Sequence, residues 1–342
     1  MTTMQRWELS AFGREHLSLV RVARPVPRSH EVLVEVEALS LNFRDHLIIE
    51  NRLGAGYSAP FVPGSDLAGT VVEVGALVTR LRVGDRVISN DIVGWMDGAA
   101  PTLETNTTTI MGGLAHYVVL DPEQLVIAPA SLTAVEAATL PVAGLTAWMA
   151  IVELGRVHVG QSIVVQGTGG VAMFAIQLAL AHGARVIVTT GSPEKIGRLR
   201  KLGAIEVIDR SRNSEWQQEV LKRTGPRGAD HIIEMAGGEN IGRSLEAVAL
   251  GGRISIVGLL ADSQLGGPIG AMLYKRATLA GIGVGPRRAL EDMIRAVDRV
   301  NLKPVIDRVY DFEEVPAAFD HLERGAFGKL VIRMREASRD DF

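Results

Sequence analysis

The sequence predicts an α/β protein built on a parallel sheet, with β-rich segments towards its two ends. Between about residue 144 and residue 285, apolar strand-like segments alternate with helical ones, as in consecutive βαβ units. The first 130 residues read mostly as strands and turns, and the C-terminal part returns to a mixed pattern. A chain of 342 residues is long enough for two domains, each with its own core.

The N-terminal part is predicted to be a compact β domain. EVLVEVEALSLN (31–42) alternates apolar and charged residues in its first half, as a half-buried strand does. LAGTVVEVG and RVGDRVIS are further strand-like segments, bounded by Gly and Asp turn signals.

The middle part opens with the strand SIVVQG and the helix GVAMFAIQLALA, which Gly183 ends. After the strand RVIVTT, Ser192 and Pro193 are the predicted N-cap and first residue of the helix EKIGRLRKL. The predicted elements that follow are the strand EVIDR, the helix EWQQEVLKRT, the strand HIIEMAG, the helix IGRSLEAVAL and the strands RISIVGLL and TLAGIGVG. The C-terminal part is predicted to hold a helix over 289–300, the strand PVIDRVYDF, the helix FEEVPAAFDHLERG and the strand GKLVIRM.

Composition excludes several classes of function. The net charge of −3 offers no basic surface for nucleic acid. Without any cysteine there is no disulfide, no thiolate catalysis and no cysteine-ligated zinc or iron–sulfur site. The longest uncharged runs contain Gly, Pro or Gln, and neither a signal peptide nor a membrane helix is expected. We therefore predict a cytoplasmic protein that binds neither nucleic acid nor membrane.

A glycine cluster lies between the strand SIVVQG and the next helix. Gly167, Gly169 and Ala172 form GxGxxA, in which the first glycine permits the turn and the second lets the backbone approach a pyrophosphate. The small third residue allows close helix–strand packing, and the helix N-terminus faces the anion. Because the motif opens a series of βαβ units, it predicts a dinucleotide site rather than a bare turn. The predicted cofactor contacts here are Gly167, Thr168, Gly169, Gly170 and Val171.

The end of the next strand distinguishes NADPH from NADH. An NAD site usually carries Asp or Glu there for the ribose 2′-hydroxyl, whereas this chain has Thr-Thr-Gly-Ser. Hydroxyls and cations suit a 2′-phosphate. The residues assigned to it are Thr190, Gly191, Ser192, Lys195 and Arg210. The cofactor is therefore predicted to be NADP(H).

The chain resembles the medium-chain dehydrogenases/reductases. NFRDHLIIENRLG, FVPGSDLAGTVVEVG, RVGDRVIS, TLPVAGLTAW, VQGTGGVA and FGKLVIR occur in that family's order across nearly the whole chain. The resemblance implies a GroES-like β-rich catalytic domain, formed by residues 1–130 and 287–342. It also implies a Rossmann NADP(H)-binding domain with a doubly wound parallel sheet over 131–286, and a homodimer joined through TLAGIGVG.

The chain departs from the family's zinc alcohol dehydrogenases at each ligand position. Asn42 replaces the Cys of Cys-x-x-Asp, Ser65 replaces the His of Gly-His-Glu, and the third position, near Val142, is apolar. The four-cysteine structural lobe also has no counterpart. The chain is therefore similar to the zinc-free members, such as quinone oxidoreductases, and no metal is predicted.

The resemblance also implies the remaining site residues. Asn42, Arg44, Asp45 and Thr146 are the candidate catalytic residues, with Asn42 placed to polarise a carbonyl and Asp45 as scaffold. Arg44 is a candidate donor to an enolate or to a cofactor phosphate, and Thr146 matches a threonine near the nicotinamide. Further cofactor contacts are assigned to Gly258, Leu259, Gly283, Val284 and Lys329.

Without a metal, hydride addition is favoured where charge develops on a delocalised oxygen. The predicted function is NADPH-dependent reduction of a quinone or an α,β-unsaturated carbonyl. Three alternatives stay open: a zinc-independent alcohol or aldehyde dehydrogenase, an enoyl-CoA-type reductase, and a non-enzymatic NADPH-binding protein.

Overall fold

The computed structural model describes residues 2–53, 57–101, 112–203, 205–258, 260 and 264–334. The chain divides into two compact units. The first unit comprises Met1–Leu145 and Val284–Phe342, and the second comprises Thr146–Gly283. Residues 131–145 and 284–286, which the family resemblance placed in the Rossmann domain, group with the first unit, where Val142 N donates to Asp66 Oδ2 at 3.2 Å.

The N-terminal part of the first unit is mainly β structure. Its elements are β1 (Thr3–Leu9), β2 (Leu17–Ala23), β3 (Val32–Leu41), α1 (Phe43–Ile49), β4 (Asp66–Val74), β5 (Arg86–Ser89), β6 (Tyr117–Leu120), β7 (Leu125–Ile127) and α2 (Ala134–Ala137). Asn42 is the N-cap of helix α1, and its backbone N–H donates to the Asp45 carboxylate at 2.7 Å. An acid at the third helical position satisfies a terminal N–H in this way, and it fixes Asn42 where strand and helix meet.

The second unit alternates strands and helices. Its elements are α3 (starting one residue earlier, Leu145–Trp148), β8 (Ser162–Gln166), α4 (Gly170–Ala181), β9 (Arg185–Thr190), α5 (Ile196–Arg200), β10 (Ile205–Asp209), α6 (Trp216–Thr224), β11 (Ala229–Glu234), α7 (Asn240–Ala247), β12 (Val248–Ile256), α8 (Ile269–Lys275) and β13 (Thr278–Gly281). The C-terminal part of the first unit then adds α9 (Arg287–Val300), β14 (Ile306–Asp311), α10 (Val315–Arg324) and β15 (Lys329–Arg333).

The sheet of the second unit is parallel throughout, in the order β10-β9-β8-β11-β12-β13. Numbered within the unit this is 3-2-1-4-5-6, the doubly wound order that reverses between β8 and β11. The predicted Rossmann class is confirmed. Ligands of such sheets bind outside the carboxyl ends of the strands at the reversal, so a ligand is expected at the ends of β8 and β11.

The main sheet of the first unit runs β14-β15-β3-β4-β5-β7, with β6 also paired to β3. The C-terminal strand β15 is internal to it. It pairs antiparallel with β3, with Leu330 opposite Leu41 and Arg333 opposite Ala38. One core joins both parts of this unit; its members include Val34, Leu39, Leu67, Phe312, Phe319 and Ile332. The β-rich domain completed by the C-terminus is therefore present as predicted.

Several predicted element boundaries differ from the structure. The helix IGRSLEAVAL ends at Ala247, because Val248 already pairs with Ala229 at the start of β12. The side chain of Ser192 makes no capping hydrogen bond. The predicted helix after it is a 3₁₀ turn at Pro193–Lys195 followed by the short α5. Helix α8 was not predicted.

In the part of the chain that the structure describes, no helix is long and apolar enough to cross a bilayer. The cytoplasmic location stays a prediction.

Candidate functional site

The predicted glycine turn joins β8 to α4 at the reversal of the parallel sheet. Gly167 has φ +81°, a conformation that favours glycine, and Gly169 is the N-cap of the 12-residue α4. A Cβ built on either residue meets no atom within 4 Å, so the space before the helix N-terminus is open. Ala172 is fully buried, as close packing of the helix on the sheet requires. The turn thus has the shape and the dipole that a pyrophosphate needs.

A buried carboxylate network lies beside this turn, at the ends of β8 and β11. Glu234 is fully buried, and its oxygens accept hydrogen bonds from Gln166 Nε2 (2.9 Å), Asn240 Nδ2 (2.8 Å) and the Ser244 hydroxyl. They also accept from the backbone N–H groups of the turn that follows β11. The network therefore fixes that turn against β8. Each of these apolar strands ends in a polar residue, Gln166 after SIVV and Glu234 after HII. Sequence reasoning missed this signal.

The residues assigned to a 2′-phosphate lie at the ends of β9 and β10. Ser192 N donates to Thr190 Oγ1 at 3.1 Å. The Arg210 guanidinium lies beside Gly191, with Nη2 3.9 Å from the place where a Cβ of that glycine would be. Arg210 Nε is buried and makes no hydrogen bond with any described residue.

Three charged groups act on this position. Burial lowers the pKa of Arg210, the Glu234 carboxylate opposes this fall, and the cation of Arg243, on α7, adds to it. Guanidinium groups suit an anionic ligand such as a phosphate. Arg243 is not among the sequence-predicted contacts, because only the fold brings α7 near the end of β10. Lys195 lies in the 3₁₀ turn before α5.

The other predicted cofactor contacts follow later strands. A Cβ on Gly258 would overlap the Met235 carbonyl oxygen, so only glycine fits there. Val284 has φ +60°, a strained conformation for a β-branched residue. Gly283 has open space around it, and Leu259 falls outside the described residues. Thr146 is buried in α3.

In the first unit, Asn42 and Lys329 are in direct contact. Lys329 is 3% exposed, and its Nζ donates to Asn42 Oδ1 at 2.6 Å and to the Leu41 carbonyl at 2.8 Å. This pairing arises because β15 lies next to β3 in the sheet. An ammonium only donates hydrogen bonds, so the amide oxygen of Asn42 must face it. The Asn42 Nδ2 group is buried and makes no hydrogen bond of normal geometry with a described residue.

Arg44, in the first turn of α1, is engaged with Asp91. Its Nη1 and Nη2 donate to the two Asp91 carboxylate oxygens at 2.7 Å each, and Nη2 also donates to Ser65 Oγ at 2.8 Å. Although burial disfavours the charge, Asp91 raises the pKa of Arg44 above its ordinary value. These contacts leave Arg44 Nε without a partner among the described residues, and they favour a role in holding α1 to the loop after β5.

Two further carboxyls complete the polar cluster of Asn42, Arg44, Asp45, Ser65, Asp66, Asp91 and Lys329. Asp66 accepts from Ser65 Oγ at 2.7 Å through Oδ1 and from Val142 N through Oδ2. Burial raises the pKa of Asp66, and the Lys329 charge opposes that rise. Burial likewise raises the pKa of Asp45 to about 6, against the charge of Arg44. Sequence reasoning brought Asn42, Arg44, Asp45 and Lys329 forward but missed Ser65, Asp66 and Asp91 as members of one cluster.

The cluster joins the three positions that carry zinc in the zinc alcohol dehydrogenases. Arg44 links to Ser65, Ser65 to Asp66, and Asp66 to the backbone of Val142. Two cations stand at these positions, Lys329 on Asn42 and Arg44 on Ser65, and each would repel a metal ion. No group of three metal-ligating side chains lies together among the described residues. The donor set therefore does not fit a catalytic zinc, and the absence of a metal stays a prediction.

Comparison with known proteins places both parts of the chain. A family model described as "Alcohol dehydrogenase GroES-like domain" matches residues 28–130, and one described as "Zinc-binding dehydrogenase" matches residues 170–299. The chain is 35% identical over 314 residues to the "Zinc-type alcohol dehydrogenase-like protein C1773.06c" of Schizosaccharomyces pombe, covering 89% of this chain and 91% of that protein.

Two further similarities extend over nearly the whole chain. Human quinone oxidoreductase is 28% identical over 320 residues, covering 91% of each chain. The crystal structure of a putative alcohol dehydrogenase from Sinorhizobium meliloti 1021 superposes with a TM-score of 0.92 at 48% identity, covering 98% of this chain and all of that one. The GroES-like unit, the parallel-sheet unit and these relatives together show that the chain is an oxidoreductase of the medium-chain dehydrogenase/reductase superfamily.

Proposed function

We propose that this protein is an NADPH-dependent reductase that transfers a hydride to a quinone or an α,β-unsaturated carbonyl. The observation that carries the proposal is the polar cluster of the first unit. It places an amide and two cations at the positions where the zinc alcohol dehydrogenases hold their metal. Oxidation of a simple alcohol requires a strongly basic alkoxide, which a zinc ion stabilises. A hydrogen-bond donor is sufficient for a delocalised phenolate or enolate.

The residues of the second unit fit a dinucleotide. The open turn at Gly167 and Gly169 would hold the pyrophosphate at the N-terminus of α4. Arg210, with its unpartnered Nε, would bind the 2′-phosphate together with Arg243. When bound, NADPH supplies the hydride. The Asn42 Nδ2 group, which makes no hydrogen bond of normal geometry with a described residue, would donate to the substrate oxygen on which charge develops.

A substrate panel tests the reaction. Oxidation of NADPH would be followed with a 1,4-quinone, a 2-alkenal, crotonoyl-CoA and an aliphatic aldehyde. We expect turnover with the quinone or the 2-alkenal and little with the aldehyde. Preference for the aldehyde would support the dehydrogenase alternative, and preference for crotonoyl-CoA would support the enoyl-CoA reductase. Thermal stabilisation by NADPH without turnover of any substrate would leave only a binding protein. Loss of activity with a chelator and its recovery with zinc would refute the metal-free proposal.

Cofactor preference is tested separately with Arg210→Ala. A charge-assisted hydrogen bond to phosphate is lost, so the Kd for NADPH should rise about ten- to a hundredfold while that for NADH changes little. Arg212→Ala is the matched control, because its side chain is 85% exposed and lies only two residues away. Equal affinity of the unaltered protein for NADH and NADPH would contradict the assignment, as would an equal loss for both in Arg210→Ala.

We also propose that the protein is a homodimer, with a second copy against the edge strand β13. This strand pairs on one side only with β12, and the nearby α8 exposes Ile269 (73%), Leu273 (72%) and Tyr274 (82%). Exposed apolar patches and open edge strands are usually covered. Analytical ultracentrifugation should show a dimer that Leu273→Arg weakens. A monomer across the micromolar range would refute the proposal.

A further inference from the structure

We infer that Lys329 is a positioning residue for the proposed reduction: it holds the Asn42 oxygen, so that Asn42 presents its amide N–H groups to the substrate oxygen. This inference rests on the proposed function. It goes beyond the sequence comparison, which suggested only that Lys329 lies near the cofactor.

The first step is orientation. An asparagine amide can turn about its last bond, which exchanges oxygen and nitrogen, and its hydrogen-bond partners decide between the two states. Lys329 Nζ, 2.6 Å from Asn42 Oδ1, allows only the state in which oxygen faces the lysine. The second acceptor of Lys329, the Leu41 carbonyl at 2.8 Å, fixes the ammonium to β3. Asn42 Nδ2 is therefore aimed away from β15.

The second step is the unused donor. Buried polar groups nearly always have a hydrogen-bond partner, and an exception in a native fold calls for an explanation. Asn42 is 8% exposed, and its side chain contacts the Asp66 carboxylate and opposes the rise in the pKa of that group. Its Nδ2 makes no hydrogen bond of normal geometry with a described residue, so at least one of its two N–H groups is unused. A substrate oxygen that gains negative charge would satisfy this donor in the transition state more than in the ground state.

The third step is charge. An ammonium on the oxygen of an amide polarises the group and strengthens its N–H donors. Lys329 is surrounded by Asp45 on α1, Asp66 on β4 and the Arg44 guanidinium. Burial lowers the pKa of Lys329, and the two carboxylates partly offset this. The donor strength of Asn42 thus depends on a lysine that loses its proton at lower pH than an exposed lysine does.

A double-mutant cycle on the intact protein tests the coupling. Lys329→Met should lower kcat about ten- to a hundredfold with a smaller change in KM, because a hydrogen bond to a charged group is lost. In an Asn42→Ala background, Lys329→Met should lower kcat by less than about threefold, since Lys329 then has no amide to orient. Lys329→Arg should recover part of kcat and move the fall of kcat at high pH to higher pH. Lys222→Met, at a side chain that is 70% exposed, is the control substitution.

Other results would overturn the inference. Equal losses in the two backgrounds would show that Lys329 acts independently of Asn42. A weaker NADPH affinity of Lys329→Met, with kcat unchanged, would mean that the lysine serves the cofactor instead. Thermal unfolding of each variant separates these outcomes from loss of the fold.

A readout without turnover keeps this inference distinct from the proposed function. The chain has only seven asparagines, so selective ¹⁵N-asparagine labelling resolves the side-chain amides. The Asn42 Nδ2 signals should shift in Lys329→Met and titrate with Lys329 in the unaltered protein. If they do so while no quinone or enone is reduced, the proposed function fails and the pairing stands. If they do not shift, the inference fails whatever the activity.

Discussion

The ion pair between Arg44 and Asp91 gives a sharp test of whether Arg44 serves structure or catalysis. Arg44→Met and Asp91→Ala each remove one partner, and the double variant removes both. The pair has two hydrogen bonds of 2.7 Å, and the Arg44 and Asp91 side chains are 23% and 1% exposed. At about 4 Å between charges, an effective dielectric constant of about 20 gives roughly 4 kcal/mol of attraction.

Removing one partner of such a buried pair costs about 3–5 kcal/mol, because the other charge is left uncompensated. We expect each single variant to lose about that much free energy of unfolding. The double variant should lose about 2–3 kcal/mol less than the sum of the two, since it leaves neither Arg44 nor Asp91 behind as a buried charge without its partner. The loss of unfolding free energy in Asp91→Ala should lie at the lower end of this range, because Arg44 retains some contact with water and its hydrogen bond to Ser65 Oγ.

Urea unfolding followed by tryptophan fluorescence and by circular dichroism measures these differences. The two probes must give coincident transitions before free energies are compared, because the chain has two compact units. A catalytic Arg44 would give a different pattern: a stable Arg44→Met protein with little activity, and no recovery in the double variant. Unfolding free energies of the single variants within 1 kcal/mol of the unaltered protein would refute the reasoning.

Three further predictions follow from other positions. Asp45 has a pKa of about 6 in the folded state, above the ordinary ~3.9, so between these values the folded state binds more protons than the unfolded state and its stability falls as pH rises. Asp45→Asn should remove about 2–3 kcal/mol of this fall in unfolding free energy between pH 4 and pH 7. Identical pH profiles of unfolding for the variant and the unaltered protein would contradict this prediction. Gly258→Ala should lower the free energy of unfolding by more than about 2 kcal/mol, because the new Cβ would overlap the Met235 carbonyl oxygen. Gly283→Ala, whose Cβ meets no atom, should leave the free energy of unfolding nearly unchanged in the same urea unfolding assay. Val284→Gly relieves a φ of +60°, so it should not lower the unfolding temperature, and a drop of several degrees would show that the valine side chain outweighs the strain.

Features set by local pattern were predictable from the sequence. The bounds of α4 at Gly170–Ala181 follow from the glycine turn before it and Gly183 after it. The parallel sheet followed from the alternation of elements, because βαβ connections leave few arrangements. The open turn at Gly167 is where the GxGxxA spacing predicts a pyrophosphate site.

Features set by distant contacts were not predictable. Lys329, at the start of a strand, has no local signal that separates an exposed lysine from a buried one; its burial depends on β15 lying beside β3. The engagement of Arg44 depends in the same way on Asp91, 47 positions along the chain. Helix α8 escaped prediction because it has only seven residues and most of its large apolar side chains, Ile269, Leu273 and Tyr274, are exposed. Only Ala271 and Met272 pack against the core, too few to produce a helical period in the sequence.

The internal position of β15 has a consequence for synthesis on the ribosome. Lys329 bonds to Leu41 across 288 positions of sequence, so β3 must wait for the synthesis of the residues between them before β15 can pair with it. At about 5–20 residues per second that wait is roughly 15–60 s. The second unit is continuous in sequence and can fold during this interval. Until β15 has been synthesised, Asp45 and Asp66 lack the Lys329 charge that compensates them, so the polar cluster forms only once that strand has joined β3.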